Sequence, residues 1–214
     1  MAPAFTILTA ANAPSTKPGT ELLQTARLVL RRFVASDAAA LARAADYKEV
    51  ANDLRDGFPS PYTLADAEWY LSGPAAASDS TYPEQVGIFA KSIGADGSLD
   101  LSFIGGIGII PKTNVYYRTW ELGYWLTPPS WGNGYATEVV QAFTTWCFST
   151  WPQLNRIEAE VYQHNGRSSK VLEKAGFLKE GVKRGVAEKN GVLCDEMLYA
   201  ITRDDIAAVD SADI

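Results

Sequence analysis

Residues 131–138, Trp-Gly-Asn-Gly-Tyr-Ala-Thr-Glu, place a glycine on each side of Asn133 and then turn helical, a pattern whose chemistry is anion binding. From Tyr135 onward, Ala136, Val139, Val140, Phe143 and Trp146 share one broad face at helical spacing. A glycine-flanked turn at a helix start leaves several backbone N–H groups without intrahelical acceptors, pointing outward at the positive end of the dipole. Phosphate binds well at such a place, and glycine matters because a Cβ would hold the anion away from the amides. Taken alone, Gly-x-Gly is also what a tight strand-to-helix turn needs. A second segment, Asn165-Gly-Arg-Ser-Ser-Lys-Val-Leu-Glu-Lys-Ala-Gly-Phe177, reads as a capped amphipathic helix. In it Asn165 is the N-cap, Ser168 a first-turn hydroxyl and Gly176 the C′ residue. His164, the sole histidine, adjoins it, but strand alternation does not aim its ring there.

The elements that must position these segments follow in order. Ala26 to Phe33 reads as the first strand, Ser36 as the N-cap of an Ala-rich helix to about Ala45, and Tyr47 to Leu54 as a further helical piece. A loop with two prolines spans Arg55 to Tyr62, and Thr63 with Asp66 caps the helix that carries Trp69 and Tyr70. Gly73 to Glu84 is Ala-, Ser- and Pro-rich, a surface excursion. Gln85–Ile93 and Leu99–Ile110 read as antiparallel strands around residues 94–98. Gly105, Gly106 and Gly108 suggest a bulge or a close approach of another segment; no helix follows them, so they are not a phosphate loop. Thr119–Leu126 is the fourth strand, stopped by Pro128 and Pro129, and the central helix runs from Gly134 to about Thr150. Arg156–Tyr162 is the fifth strand, parallel to the fourth across a right-handed crossover. Phe177–Glu188 and Val192–Ile201 close as a hairpin around Lys189-Asn190-Gly191.

The chain has 214 residues, enough for one domain that buries roughly 70% of its unfolded surface. The expected division is a flexible segment over 1–22, a single domain over 23–203 and a tail over 204–214. A net charge of −6 argues against a polyanion-binding surface and is compatible with a cationic substrate such as an amine. The two cysteines, Cys147 and Cys194, lack metal-ligand spacing and read as buried thiols of a reducing compartment. No run reaches membrane-spanning length and no signal pattern opens the chain, so the expected location is cytoplasmic, with no nucleic-acid or membrane partner.

Trp131-Gly-Asn-Gly-Tyr-Ala136 resembles the acetyl-CoA pyrophosphate loop of the GNAT superfamily of N-acetyltransferases, and more narrowly its RimJ/RimL-like branch. Trp131 fills the place of the family's Gln or Arg, and Asn133 stands where many relatives carry a cation. Residues 165–177 resemble the branch's Asn-x-x-Ser-x-x-Val-Leu-Glu-Lys-x-Gly-Phe string; Leu23–Phe33 resembles its opening strand and Pro61–Ala67 its acceptor-side helix. The resemblance implies an α/β (α+β) GNAT fold: a central mixed, mostly antiparallel, twisted sheet with helices on both faces. Its parallel fourth and fifth strands would splay apart around acetyl-CoA.

It also implies an acetyl-CoA-dependent N-acetyltransferase in which a primary amine, of a small molecule or a protein N-terminus, attacks directly in a ternary complex. The cofactor-binding residues would be Tyr124, Trp125 and Leu126 along pantetheine, Trp131, Gly132, Asn133, Gly134, Tyr135, Ala136 and Thr137 at the pyrophosphate, and Asn165 and Ser168. Where many relatives carry a tyrosine that protonates the thiolate, this chain has Leu172, so Ser168, one turn earlier, is the candidate donor. Glu121 is the candidate base, with Glu158 and Glu160 as rivals. An aromatic set provides the acceptor-contacting candidates Phe58, Tyr62, Trp69 and Trp120, with Tyr116, Tyr117 and Tyr124 as further members. No metal is expected, and the chain would act as a monomer or homodimer. The competing readings are a non-catalytic acyl-CoA-binding or sensing module and a nucleotide-binding regulator that uses the same loop.

Overall fold

Leu28, Val29 and Leu30 are buried in succession, so the strand they form, β2 (Leu28–Arg31), is covered on both faces instead of alternating. The computed structural model describes residues 8–75 and 82–206. Its remaining strands are β1 (Glu21–Gln24), β3 (Val86–Ile93), β4 (Leu99–Pro111), β5 (Thr119–Leu126), β6 (Arg156–Tyr162), β7 (Leu178–Lys189) and β8 (Val192–Thr202). The helices are α1 (Ala38–Ala45), α2 (Lys48–Asn52), α3 (Leu64–Ser72), α4 (Tyr135–Thr150) and α5 (Gly166–Lys174). The strands are hydrogen-bonded in the order β1-β2-β3-β4-β5-β6-β8-β7. Pairs β1–β2, β2–β3, β3–β4, β6–β8 and β7–β8 are antiparallel, and β5–β6 is parallel, which is the expected mixed sheet. The chain divides into two compact units whose boundaries fall within β4, β5 and α4.

The first, the loop unit, comprises Pro14–Gly108 and Tyr124–Val139. Its helices α1 and α3 bury Ala38, Leu41, Ala45, Ala67 and Leu71 with Phe33 and Tyr62, and Phe58, Tyr70, Phe103 and Trp125 pack on that cluster. Thr63 caps α3 as the sequence predicts: its hydroxyl accepts from Asp66 N, and Asp66 accepts from Thr63 N at 2.8 Å. Ser36 is not the cap of α1. It lies inside a 3₁₀ turn, Ala35–Asp37, that leads into α1; the cap position falls to Asp37, whose carboxylate makes no cap bond to α1 and instead accepts from Val34 N (2.8 Å) and pairs with Arg31 (2.7 Å). The 3₁₀ turn holds Ser36 one residue short of the cap position, so its hydroxyl does not serve α1. The expected glycine effect in β4 is present: the register shifts opposite Ile88/Phe89. A Cβ on Gly105 would run into the Trp125 carbonyl and lie 2.9 Å from Leu126 Cα, and one on Gly108 would meet the Glu84 carbonyl.

The second, the hairpin unit, comprises Met1–Ala13, Ile109–Gly123 and Val140–Ile214. Its core holds Trp120, Phe143, Trp151, Ile157, Leu172 and Tyr199, all essentially inaccessible. The β7–β8 hairpin turns at Asn190 (φ 52°) and Gly191 (φ 77°), both left-handed as the Asn-Gly pair predicts. Arg203 donates to the carbonyls of Phe148, Trp151 and Leu154.

Structure begins earlier than the sequence leads one to expect. Within the hairpin unit Leu8 is buried and Ala11 N donates to Thr150 O at 2.7 Å. Within the loop unit Ser15 O accepts from Arg32 Nε at 2.7 Å, and Glu21–Gln24 pairs with β2 as an edge strand. The rest of the expected N-terminal segment (1–7), part of the surface excursion (76–81) and most of the tail (207–214) lie outside the described residues.

Candidate active site

After β5 the loop unit turns through a 3₁₀ turn, Pro128–Ser130, into residues 131–134. Trp131 Nε1 donates to Leu126 O at 2.7 Å, tying the turn back to the strand it left. Gly132 and Gly134 both adopt left-handed φ, 79° and 78°, where a side chain would be strained. Neither has backbone near its missing Cβ; the nearest atom to that of Gly134 is Arg27 Nη2 at 3.5 Å. The Asn133 amide is turned inward, donating to Ser130 O and Trp131 O at 3.3 and 3.2 Å. The first bond of α4 runs from Glu138 N to Gly134 O at 3.1 Å, so the amides of Tyr135, Ala136 and Thr137 lie ahead of the helical ladder. Amides so placed accept an anion.

Sequence reasoning passed over a second group at this loop. Arg27 donates from Nη1 to Asn133 O (2.9 Å) and from Nε to Glu138 Oε2 (2.7 Å), and its guanidinium stands 4.7 Å from the Tyr135 ring centroid. The Thr25 hydroxyl donates to Glu138 Oε1 at 2.5 Å. Burial alone would raise the Glu138 pKa, but the hydrogen bonds from Thr25 and Arg27, with the charge of Arg27, hold it below the usual carboxylate range. The capping-like position of Glu138 in the first turn of α4 was a possible signal; nothing local pointed to its partner.

Of the candidate acceptor residues, Phe58 packs against Tyr62 (4.9 Å between centroids) and also edge-on against Trp125 (5.5 Å), so these three come together. Tyr62 is buried, and its hydroxyl pKa is pushed up to about 12 by desolvation and then by Asp66. Trp69 does not join them as a buried member: it is 67% exposed on α3. Trp120 is a correction. It is fully buried in the hairpin unit, its ring 5.0 Å from that of Trp151, so it belongs to the core and has no surface to offer an acceptor. Alternation along β5 decides this, since Trp120 and Leu122 face inward together.

Within the hairpin unit, the parallel β5–β6 ladder has three register pairs and ends at Glu121–Glu158, although β6 continues to Tyr162. Glu121 is half-buried. Glu158 is buried and accepts from Lys112 Nζ and from Arg156 Nε (3.0 Å); Arg156 in turn grips Glu180 at 2.7 and 2.6 Å. Burial pushes the Glu158 pKa up, yet the two cationic donors outweigh it and the net direction is down. Glu160 is paired with Lys183. Asn165 caps α5, its Oδ1 accepting from Ser168 N at 3.0 Å, and Leu172 is wholly buried. The His164 ring stacks on Tyr162 at 5.6 Å. Burial raises the Cys147 thiol pKa, as expected of an inert core cysteine. Among the described residues, no group of three or more His, Cys, Asp or Glu could hold a metal ion, and no helix is long and apolar enough to cross a membrane.

The model of the acetyltransferase (GNAT) domain matches residues 27–178. The chain is 32% identical over 182 residues to the uncharacterized N-acetyltransferase YoaA of Bacillus subtilis, covering 85% of this chain and 97% of that protein. Among solved structures, Mycobacterium smegmatis RimJ in complex with CoA-disulfide is similar with a TM-score of 0.70 and 28% identity, over 84% of this chain and 83% of that one. The ribosomal-protein-S5-alanine acetyltransferase of Vibrio fischeri shares the fold, with a TM-score of 0.67 at 22% identity over 86% and 97% of the two chains. Sheet order, loop and matches together make this chain a member of the GNAT acetyltransferase family, in its RimJ/RimL-like branch. It is an acetyl-CoA-dependent acyltransferase.

Proposed function

We propose that this protein moves the acetyl group of acetyl-CoA to a primary amine, on a small molecule or a protein N-terminus, by direct attack. The observation that carries this reading is the pair of left-handed glycines before α4, with amides open ahead of the helical ladder, in a chain of this family. The pyrophosphate is bound by the amides of Trp131 to Thr137, pantetheine runs along the main chain of Tyr124, Trp125 and Leu126, and Asn165 donates to the pantetheine arm from Nδ2. The amine nitrogen attacks the thioester carbonyl, whose oxygen takes the charge in the tetrahedral intermediate and is stabilised by a backbone N–H of β5. The C–S bond then breaks, the thiolate receives a proton from the Ser168 hydroxyl, and the proton left on the attacking nitrogen passes to Ser168, giving the neutral amide and CoA thiol. Glu121 takes the proton that the ammonium must lose before attack. Glu158 and Glu160 are the rival candidates; Glu158 is paired with Lys112 and Glu160 with Lys183. The cluster of Phe58, Tyr62 and Trp125 supports an acceptor with an apolar portion, or an ammonium held over a ring.

A thiol-release assay with acetyl-CoA against a panel of small primary amines and N-terminal peptides tests this. Turnover on one class names the acceptor. Tight acetyl-CoA binding without turnover on any amine would make the protein a sensing module instead.

A further inference from the structure

The two glycines that open the phosphate loop also leave it soft. Residues flanked by left-handed glycines have little steric resistance to a peptide flip, so the Asn133–Gly134 peptide needs an outside tether to keep one orientation. In a trans peptide the C=O and the following N–H point in opposite directions. The Asn133 carbonyl is held by Arg27 Nη1 at 2.9 Å, so the Gly134 N–H is turned away from the guanidinium.

Charge gives a second argument. Glu138 is the fourth residue of α4 and, in the absence of a ligand, its carboxylate is favoured by the helix dipole. A phosphate at that helix start would compete for the same positive end and meet the carboxylate's charge. Arg27 faces that carboxylate with Nε at 2.7 Å and Nη2 at 2.5 Å, while its side chain stays 47% exposed. Residues 131–137 include no cationic side chain, and Asn133 directs its amide to the Ser130 and Trp131 carbonyls.

We propose that Arg27 is a positioning residue for acetyl-CoA: it fixes the Asn133–Gly134 peptide with its N–H open to the pyrophosphate and cancels the charge of Glu138 that would repel it. The inference rests on the reading of residues 131–137 as the cofactor loop. Arg27 reaches the loop from 106 residues upstream.

Calorimetry with acetyl-CoA on the parent, Arg27→Met, Arg27→Lys and the Arg27→Met/Glu138→Gln double variant tests it, alongside kinetics on whichever amine the panel returns. Arg27→Met should raise Kd and KM for acetyl-CoA about tenfold or more, with kcat at saturation within about threefold, since the interaction is spent on ground-state binding. Adding Glu138→Gln should recover at least about threefold, because the uncompensated carboxylate is gone. Arg27→Lys should fall between parent and Met, keeping the charge but losing the fork. A folded Arg27→Met with the parental Kd, or a fall in kcat at unchanged KM, overturns the proposal. If Arg27→Met does not fold, the Lys variant decides, and a parental Kd there overturns it too. A parent protein that fails to bind acetyl-CoA refutes the loop reading itself, which separates that failure from this one.

Discussion

Glu121 and Glu158 form the last register pair of the parallel β5–β6 ladder, and their surroundings differ: Glu158 is buried between Lys112 and Arg156, whereas Glu121 is half-buried. The two carboxylates share one face of the sheet, and Glu158 is the one held by Lys112 and Arg156.

The Glu158 pairing has a pH signature. The folded-state pKa of Glu158 is depressed, so its contribution is fully present above the unfolded value, near 4.3 for glutamate, and is lost as pH falls through the folded value. Glu158→Gln should cost about 1–2 kcal/mol at neutral pH, reduced from a fully buried pair because Lys112 is partly exposed. Urea unfolding of parent and variant should converge as pH is lowered below the unfolded value. A gap that is constant with pH would place the effect in packing.

Proton transfer belongs to Glu121 on the proposed mechanism. Glu121→Gln should depress kcat/KM most at low pH and recover as pH nears the acceptor's own pKa, where the amine arrives neutral. A uniform loss across pH would mean acceptor binding, and no loss would remove Glu121 from the reaction.

Ser168→Ala separates a hydroxyl's chemistry from helix capping, because the cap bond to Asn165 uses the Ser168 backbone N–H and survives the substitution. We expect kcat to fall about 10- to 100-fold with KM for acetyl-CoA little changed. Parental rates over the whole pH range would return Ser168 to its place in the first turn of α5.

Gly105→Ala tests the strand that carries the proposed pantetheine contacts. Its Cβ would collide with the Trp125 carbonyl and approach Leu126 Cα to 2.9 Å, both backbone atoms of β5 that cannot swing aside. Stability should fall by about 2 kcal/mol or more, and acetyl-CoA affinity with it, as that end of β5 is displaced. Thermal melts and calorimetry read both; an unperturbed melt would show that the strands yield at no cost.

Much of the fold was legible because its signals are local. The Thr63–Asp66 cap, the Asn190-Gly191 turn, the glycines around Asn133 and the Asn165 cap each act within about four residues, so composition at fixed spacing determines them. The family string around residues 131–138 and 165–177 added the order of the elements and the enzyme class. What the sequence alone did not decide is which partner a side chain finds at long range. Edge strand β1 is only four residues long and exists through its pairing with β2. The cap position of α1 fell to Asp37 instead of Ser36 because a 3₁₀ turn precedes the helix, and the Asp37 carboxylate is taken up by Arg31. Trp120 went to the core because of which face β5 turns inward. Arg27 and Glu138 are 111 residues apart, and no local propensity links them. Such pairs are chosen by chain packing, which brings two charges together only once the strands and helix that bear them are in place, so the Arg27 contact with the loop before α4 was visible only in the tertiary structure.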